Sequence, residues 1–79
     1  MKREVIILSD LDIKLMEFVR EERIMNDIVD NFNMSHSQVK KHSHRIKKLD
    51  GVSITKYGNF RRIKLTQRGE DIISIIKNE

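Results

Sequence analysis

The strongest constraint on this chain is a change of hydrophobic period at Gly51. Before it, apolar residues recur every three or four positions. After it, in VSITKYGNFRRIKLT (52–66), they alternate: Val52 and Ile54 with Ser53 and Thr55, then Ile63 and Leu65 with Arg62 and Lys64. A period of two is that of a strand with one buried face. Gly58-Asn59 at the centre is a two-residue turn signal. That turn sets Tyr57 opposite Phe60, Ile54 opposite Ile63 and Val52 opposite Leu65. Both aliphatic pairs then share a face, which a slip of one residue would destroy. Lys56 and Arg61 pair on the same face nearer the tip. The chain must therefore fold as a hairpin over 52–65 set among helices.

The helices carry their own punctuation. Ser9, with Asp12 three residues on, forms a capping box. Leu11, Leu15, Phe18 and Val19 follow at helical spacing, which predicts a helix over 10–22. Arg23 to Met25 reads as a short extended joint. Asn26 is placed to cap a second helix over 27–32, with Ile28, Val29 and Phe32 inward. Asn33-Met34-Ser35 reads as a tight turn, because Asn tolerates a left-handed backbone. Ser35 and Gln38 form a second capping box and open a third helix over 36–49. Gly51 lies where a helix C-terminus favours positive φ. Thr66 caps a last helix over 67–78, with Ile72, Ile73 and Ile76 on one stripe and Ile75 beside it. The 79 residues read as one domain, 1–79, of α+β class and mostly helical.

Charge is distributed unevenly along this order. Residues 1–35 hold 5 Lys/Arg and 8 Asp/Glu, net −3; residues 36–68 hold 10 and one, net +9; residues 69–79 hold 1 and 3, net −2. A polyanion would meet a basic middle between acidic ends.

Several chemistries are disfavoured. With no Cys there is neither a disulfide framework nor a thiolate metal site. His42 and His44 lie about 200° apart on a helix and cannot share an ion, so no metal is expected. His42 falls on the core face and reads as a partly buried packing residue. Asp10, Asp12, Glu21 and Glu22 read as cap and surface charge. No catalytic set and no cofactor motif emerges, so the chain reads as a non-enzyme. The apolar run Val5 to Leu8 is shorter than the roughly 7 residues a signal peptide needs. No segment approaches the roughly 18 apolar residues of a membrane span. The expectation is a soluble cytoplasmic protein.

The segment DIVDNFNMSHSQVKKHSHRI (27–46) resembles a helix-turn-helix, with Ile28-Val29 inward, the turn at Asn33-Met34-Ser35 and Val39 inward. The usual turn Gly is Asn33 here. The hairpin and its close, Leu65-Thr66-Gln67-Arg68-Gly69, resemble a winged helix of the MarR type or of small archaeal and viral repressors. Where typical MarR wings carry Asp-x-Arg, this chain has Asn59-Phe60-Arg61-Arg62. The resemblance spans residues 9–78. It implies a winged helix-turn-helix: three-helix core, two-stranded wing and C-terminal helix. It also implies double-stranded DNA as partner, with helix 36–49 in the major groove and wing 52–65 over adjacent backbone or minor groove.

Helical geometry and side-chain chemistry then divide the roles. Val39, Ile46 and Leu49 share the core face, and Ser37, Lys40, Lys41, His44 and Lys48 lie opposite, with Gln38 and Arg45 on a flank. Ser37, Gln38, Lys41 and His44 are candidates for base contacts; Gln bonds adenine bidentately, and Ser reads either kind of base edge. Lys40, Arg45 and Lys48 suit phosphates, which position without reading sequence. The Ser35 end offers backbone N–H groups to a phosphate. Lys56, Tyr57, Arg61 and Arg62 are wing candidates, although Tyr57 has packing on Phe60 as an equal alternative. Val5, Ile6, Ile7 and Leu8, with Ile72, Ile75 and Ile76, exceed what a winged core needs. They are expected to build a homodimer, which would read a palindromic site, with ordinary core packing as the alternative. The function expected is a sequence-specific transcription regulator acting as a repressor. Non-specific architectural DNA binding, or a winged-helix protein-interaction module of replication or transcription machinery, stays open.

Overall fold

A computed structural model describes residues 8–77. The order is α1 (Asp10–Phe18), β1 (Arg23–Ile24), α2 (Met25–Phe32), α3 (His36–Lys48), β2 (Val52–Tyr57), β3 (Phe60–Leu65) and α4 (Gln67–Lys77). The hairpin register is the one the alternation demands, with Val52 on Leu65, Ile54 on Ile63 and Tyr57 on Phe60. Gly58 takes φ 56° at the first turn position and Asn59 stays at negative φ. A two-residue hairpin turn with glycine first needs that combination.

The sheet has three strands, ordered β1-β3-β2. The stretch expected as a joint is β1, antiparallel to β3, with Arg23 opposite Ile63 and Ile24 opposite Arg62. A two-residue strand leaves too little alternation to be seen in sequence. The Val19 carbonyl also accepts the Leu65 N–H at 2.8 Å, so the end of α1 is tied to β3.

Three helix limits differ from expectation. The first helix ends at Phe18 rather than 22, because Val19 is its C-cap and the chain turns into β1. The second is capped by Ile24 in extended conformation without a side-chain bond. Asn26 lies inside its first turn and is not the cap. At the end of α3 it is Asp50, φ 59°, that takes the left-handed conformation, not Gly51. Gly51 is required for space, since a Cβ there would lie 2.8 Å from Ile46 Cγ2. Asn33 takes φ 52°, as the turn before α3 requires.

The core joins Ile13, Leu15, Met16 and Val19 of the α1 region to Ile28, Val39, Ile46, Val52, Ile63, Leu65 and Ile73. Leu8, Phe18, Val29, Phe32, Ile54 and Ile72 pack half-buried around it. Phe18 and Phe32 meet edge to face at 5.5 Å, and the Arg23 guanidinium lies 4.7 Å from the Phe18 ring centre. Ile76 does not join Ile73 inside; Ile75 is 77% exposed and Ile76 52%. Val5, Ile6 and Ile7 lie outside the described residues. No helix among the described residues is long and apolar enough to cross a membrane.

Candidate nucleic-acid interface

Local chemistry fixes where α3 begins. The Ser35 hydroxyl accepts the Gln38 N–H (3.2 Å) and Gln38 Oε1 accepts the Ser35 N–H (3.0 Å), so the capping box is closed. Val39 and Ile46 are fully buried and fix the rotation of the helix. Its outer side exposes Ser37, Gln38, Lys40, Lys41, His44 and Lys48, with Ser35 and His36 at its start. Among the described residues, Lys40, Lys41 and Lys48 make no ion pair with a carboxylate. The result is a helix face of short hydrogen-bonding groups and unneutralised cations.

The other half of the surface is the hairpin. Lys56, Tyr57 and Arg62 are exposed and Arg61 is half-buried. The Arg62 guanidinium sits 4.8 Å from the Tyr57 ring centre, a cation–π geometry. Tyr57 lies opposite Phe60 in the ladder, and both stay more than half exposed. A cleft between the hairpin tip and the start of α3 is lined by Met25, Asn26, His36, Asn59, Phe60 and Arg61. Across it His36 Nε2 donates to Asn26 Oδ1 at 2.7 Å. That pairing carries no sequence signal, because the partners come from different helices.

Two candidates have other partners. Gln38 already uses its side-chain oxygen in the capping box, so bidentate contact with adenine requires that bond to open. Arg45 is turned back toward the protein, with Nη1 3.4 Å from Asp12 Oδ2. Asp12, expected as cap and surface charge, is a cap but is fully buried. Its carboxylate accepts the Ser9 N–H (2.9 Å) and His42 Nδ1–H (2.6 Å). His42 is thus a hydrogen-bonded strut between α1 and α3 as well as a packing residue. Burial alone would push the Asp12 carboxyl up. The Ser9 N–H, His42 and the Ser9 hydroxyl outweigh burial and hold it below its ordinary value.

The helix pair α2–α3, the β2–β3 hairpin and the flanking α1 and α4 define a winged helix-turn-helix. Solved structures with this fold include Bordetella bronchiseptica BpsR, described for the regulation of its DNA binding by 6-hydroxynicotinic acid. BpsR matches at a TM-score of 0.78 and 14% identity, over 90% of this chain and 53% of its own. The chain thus spans about half the length of BpsR. A possible transcriptional regulator for arsenical resistance matches at a TM-score of 0.72 and 20% identity, over 91% of this chain and 83% of its own. No protein-family model and no curated protein matches the sequence.

Proposed function

We propose that this chain is a double-stranded DNA-binding regulator of transcription. In that reading α3 enters the major groove and the β2–β3 hairpin lies on adjacent backbone or minor groove. The observation that carries it is the outer face of α3. Six side chains able to donate hydrogen bonds or charge, Ser37, Gln38, Lys40, Lys41, His44 and Lys48, stand exposed together on a helix whose opposite side is fixed in the core. A helix face of this kind suits an anionic groove and would be wasted on an apolar partner. The regulators of the same fold add support, since one is described by its DNA binding.

Within this reading Lys40, Lys48 and the Ser35 end hold phosphates, and Ser37, Lys41 and His44 reach base edges. Gln38 joins them once its capping bond opens. Lys56, Arg61 and Arg62 hold backbone from the hairpin, and Tyr57 contributes through the half of its side chain that stays exposed beside Arg62. The repressor role rests on the resemblance of the hairpin and its Leu65-Thr66-Gln67-Arg68-Gly69 close to small repressors. A homodimer is part of the proposal. Exposed Ile75 and Ile76 on α4 supply apolar surface a lone domain has no use for; Ile72 and Leu8 pack against the core, and Val5, Ile6 and Ile7 lie outside the described residues.

The test is selection of bound sites from random duplex, followed by titration at several salt concentrations. With about four phosphate contacts per protomer, a dimer's log affinity falls against log salt with a slope of about −7. Lys40→Ala weakens binding to all duplexes, and Gln38→Ala relaxes discrimination at one base pair. Selection without an enriched site would leave non-specific binding only. No association at low ionic strength would end the DNA reading.

A further inference from the structure

Asp12 is the one fully buried carboxylate among the described residues, and it faces α3. Its two oxygens are divided. Oδ1 accepts His42 Nδ1–H at 2.6 Å; Oδ2 accepts the Ser9 N–H at 2.9 Å and lies 3.4 Å from Arg45 Nη1. His42 and Arg45 are three residues apart, so one carboxylate grips adjacent turns of α3 on one side. The capping box of α1 holds that carboxylate in place. The Arg45 side chain remains 36% exposed. Its guanidinium therefore lies at the boundary between a buried acceptor and the outer side of the helix. Its bond to Asp12 is long, whereas that of His42 is short. The anion is nevertheless fully buried, so a phosphate that drew Arg45 away would strip a buried carboxylate of one of its two basic neighbours.

Resting on the DNA-binding reading above, we infer that Asp12 is a positioning residue of the interface: through His42 it sets the recognition helix, and it withholds Arg45 from the phosphate backbone. Arg45 is the α3 cation whose charge is already spent inside the protein. Lys40, Lys41 and Lys48 keep theirs for the duplex. Holding back one cation lowers the sequence-independent part of binding, which phosphate contacts supply, and leaves the base-reading groups untouched. Asp12 in this way raises the ratio of specific to non-specific affinity.

The experiment measures the salt slope of binding to random duplex for the full chain and for Asp12→Asn, Arg45→Gln and the double variant. Asp12→Asn removes the charge while keeping the shape. Arg45 is then released, affinity for random duplex rises, and the slope steepens by about 0.9 per protomer. Arg45→Gln alone leaves the wild-type slope unchanged, and in the Asp12→Asn background it abolishes the added slope. A merely structural role for Asp12 would lower affinity without steepening the slope. An unchanged slope in folded Asp12→Asn overturns the inference. So does a wild-type slope that Arg45→Gln alone makes shallower by about 0.9, because Arg45 would then already hold a phosphate. Should Asp12→Asn fail to fold, Arg45→Gln alone decides between these outcomes. If wild type shows no salt-dependent binding, the DNA-binding reading falls, and this inference with it. If wild type binds and the variants overturn the inference, the DNA-binding reading stands.

Discussion

Replacing Gly69 with alanine tests how the end of the hairpin is locked to α4. A glycine-to-alanine change inside a helix ordinarily stabilises by about 1 kcal/mol. Here the sign reverses. A Cβ at position 69 would overlap the Gly51 carbonyl oxygen and the Leu65 side chain. Leu65 could move, but the Gly51 carbonyl has little freedom to do so. It accepts the Thr66 N–H at 3.1 Å, and the Thr66 hydroxyl donates to the Asp50 carbonyl at 2.5 Å while accepting the Gly69 N–H at 3.0 Å. Gly51 itself packs against Ile46 and Met16. Relieving the overlap thus means overpacking at about 3 kcal/mol, or sacrificing a hydrogen bond worth about 1 kcal/mol with some residual strain. Set against the propensity gain, the overpacking leaves Gly69→Ala destabilising by about 2 kcal/mol. For a domain of this size that corresponds to a melting temperature lower by roughly 8–16 °C. Thermal unfolding followed by circular dichroism measures the shift, and urea unfolding with an unchanged m-value attributes it to the native state. A melting temperature equal to or above wild type would refute the argument, because it would show that no carbonyl blocks the position.

Acid should remove part of what Asp12 contributes. Its folded-state carboxyl titrates below its ordinary value, so its contribution is present above about pH 4 and is lost as pH falls through the lowered value. Urea unfolding of wild type and Asp12→Asn should therefore show a gap at pH 7 that narrows toward pH 3; a constant gap contradicts the assignment. Ile63 is fully buried at the centre of the sheet, and Ile63→Val should cost about 1 kcal/mol, read as a lower urea midpoint. Ile75→Glu should leave the melting temperature of the monomer nearly unchanged and shift sedimentation equilibrium from dimer to monomer. A dimer unaffected by Ile75→Glu would place the interface elsewhere.

The hairpin was legible in the sequence because three independent signals agreed: the alternation, the glycine in the turn and the facing aliphatic pairs. The α3 face was legible because Val39 and Ile46 fix its rotation, and everything opposite follows from 3.6 residues per turn. What escaped notice came from contacts between distant segments. Asp12 resembles any capping acid in sequence; only the packing of α1 on α3 buries it beside His42 and Arg45. β1 escaped because pairing with β3, not its own two residues, makes it a strand. Gly51 stands where a helix end favours positive φ, but the need for glycine there is spatial. The exchange with Asp50 shows how local rules of helix ending yield to a neighbouring side chain.

The short strand β1 carries a mechanical consequence. Flanked by α1 and α2 and paired along its side with Arg62 and Ile63 in the middle of β3, it braces the hairpin against the helical body. The distance from the tip at Gly58 to the outer face of α3 is then fixed when the chain folds. On the proposed DNA-binding reading, a duplex reaching both would meet a gauge of preset width, with little ordering of the arm left to oppose association.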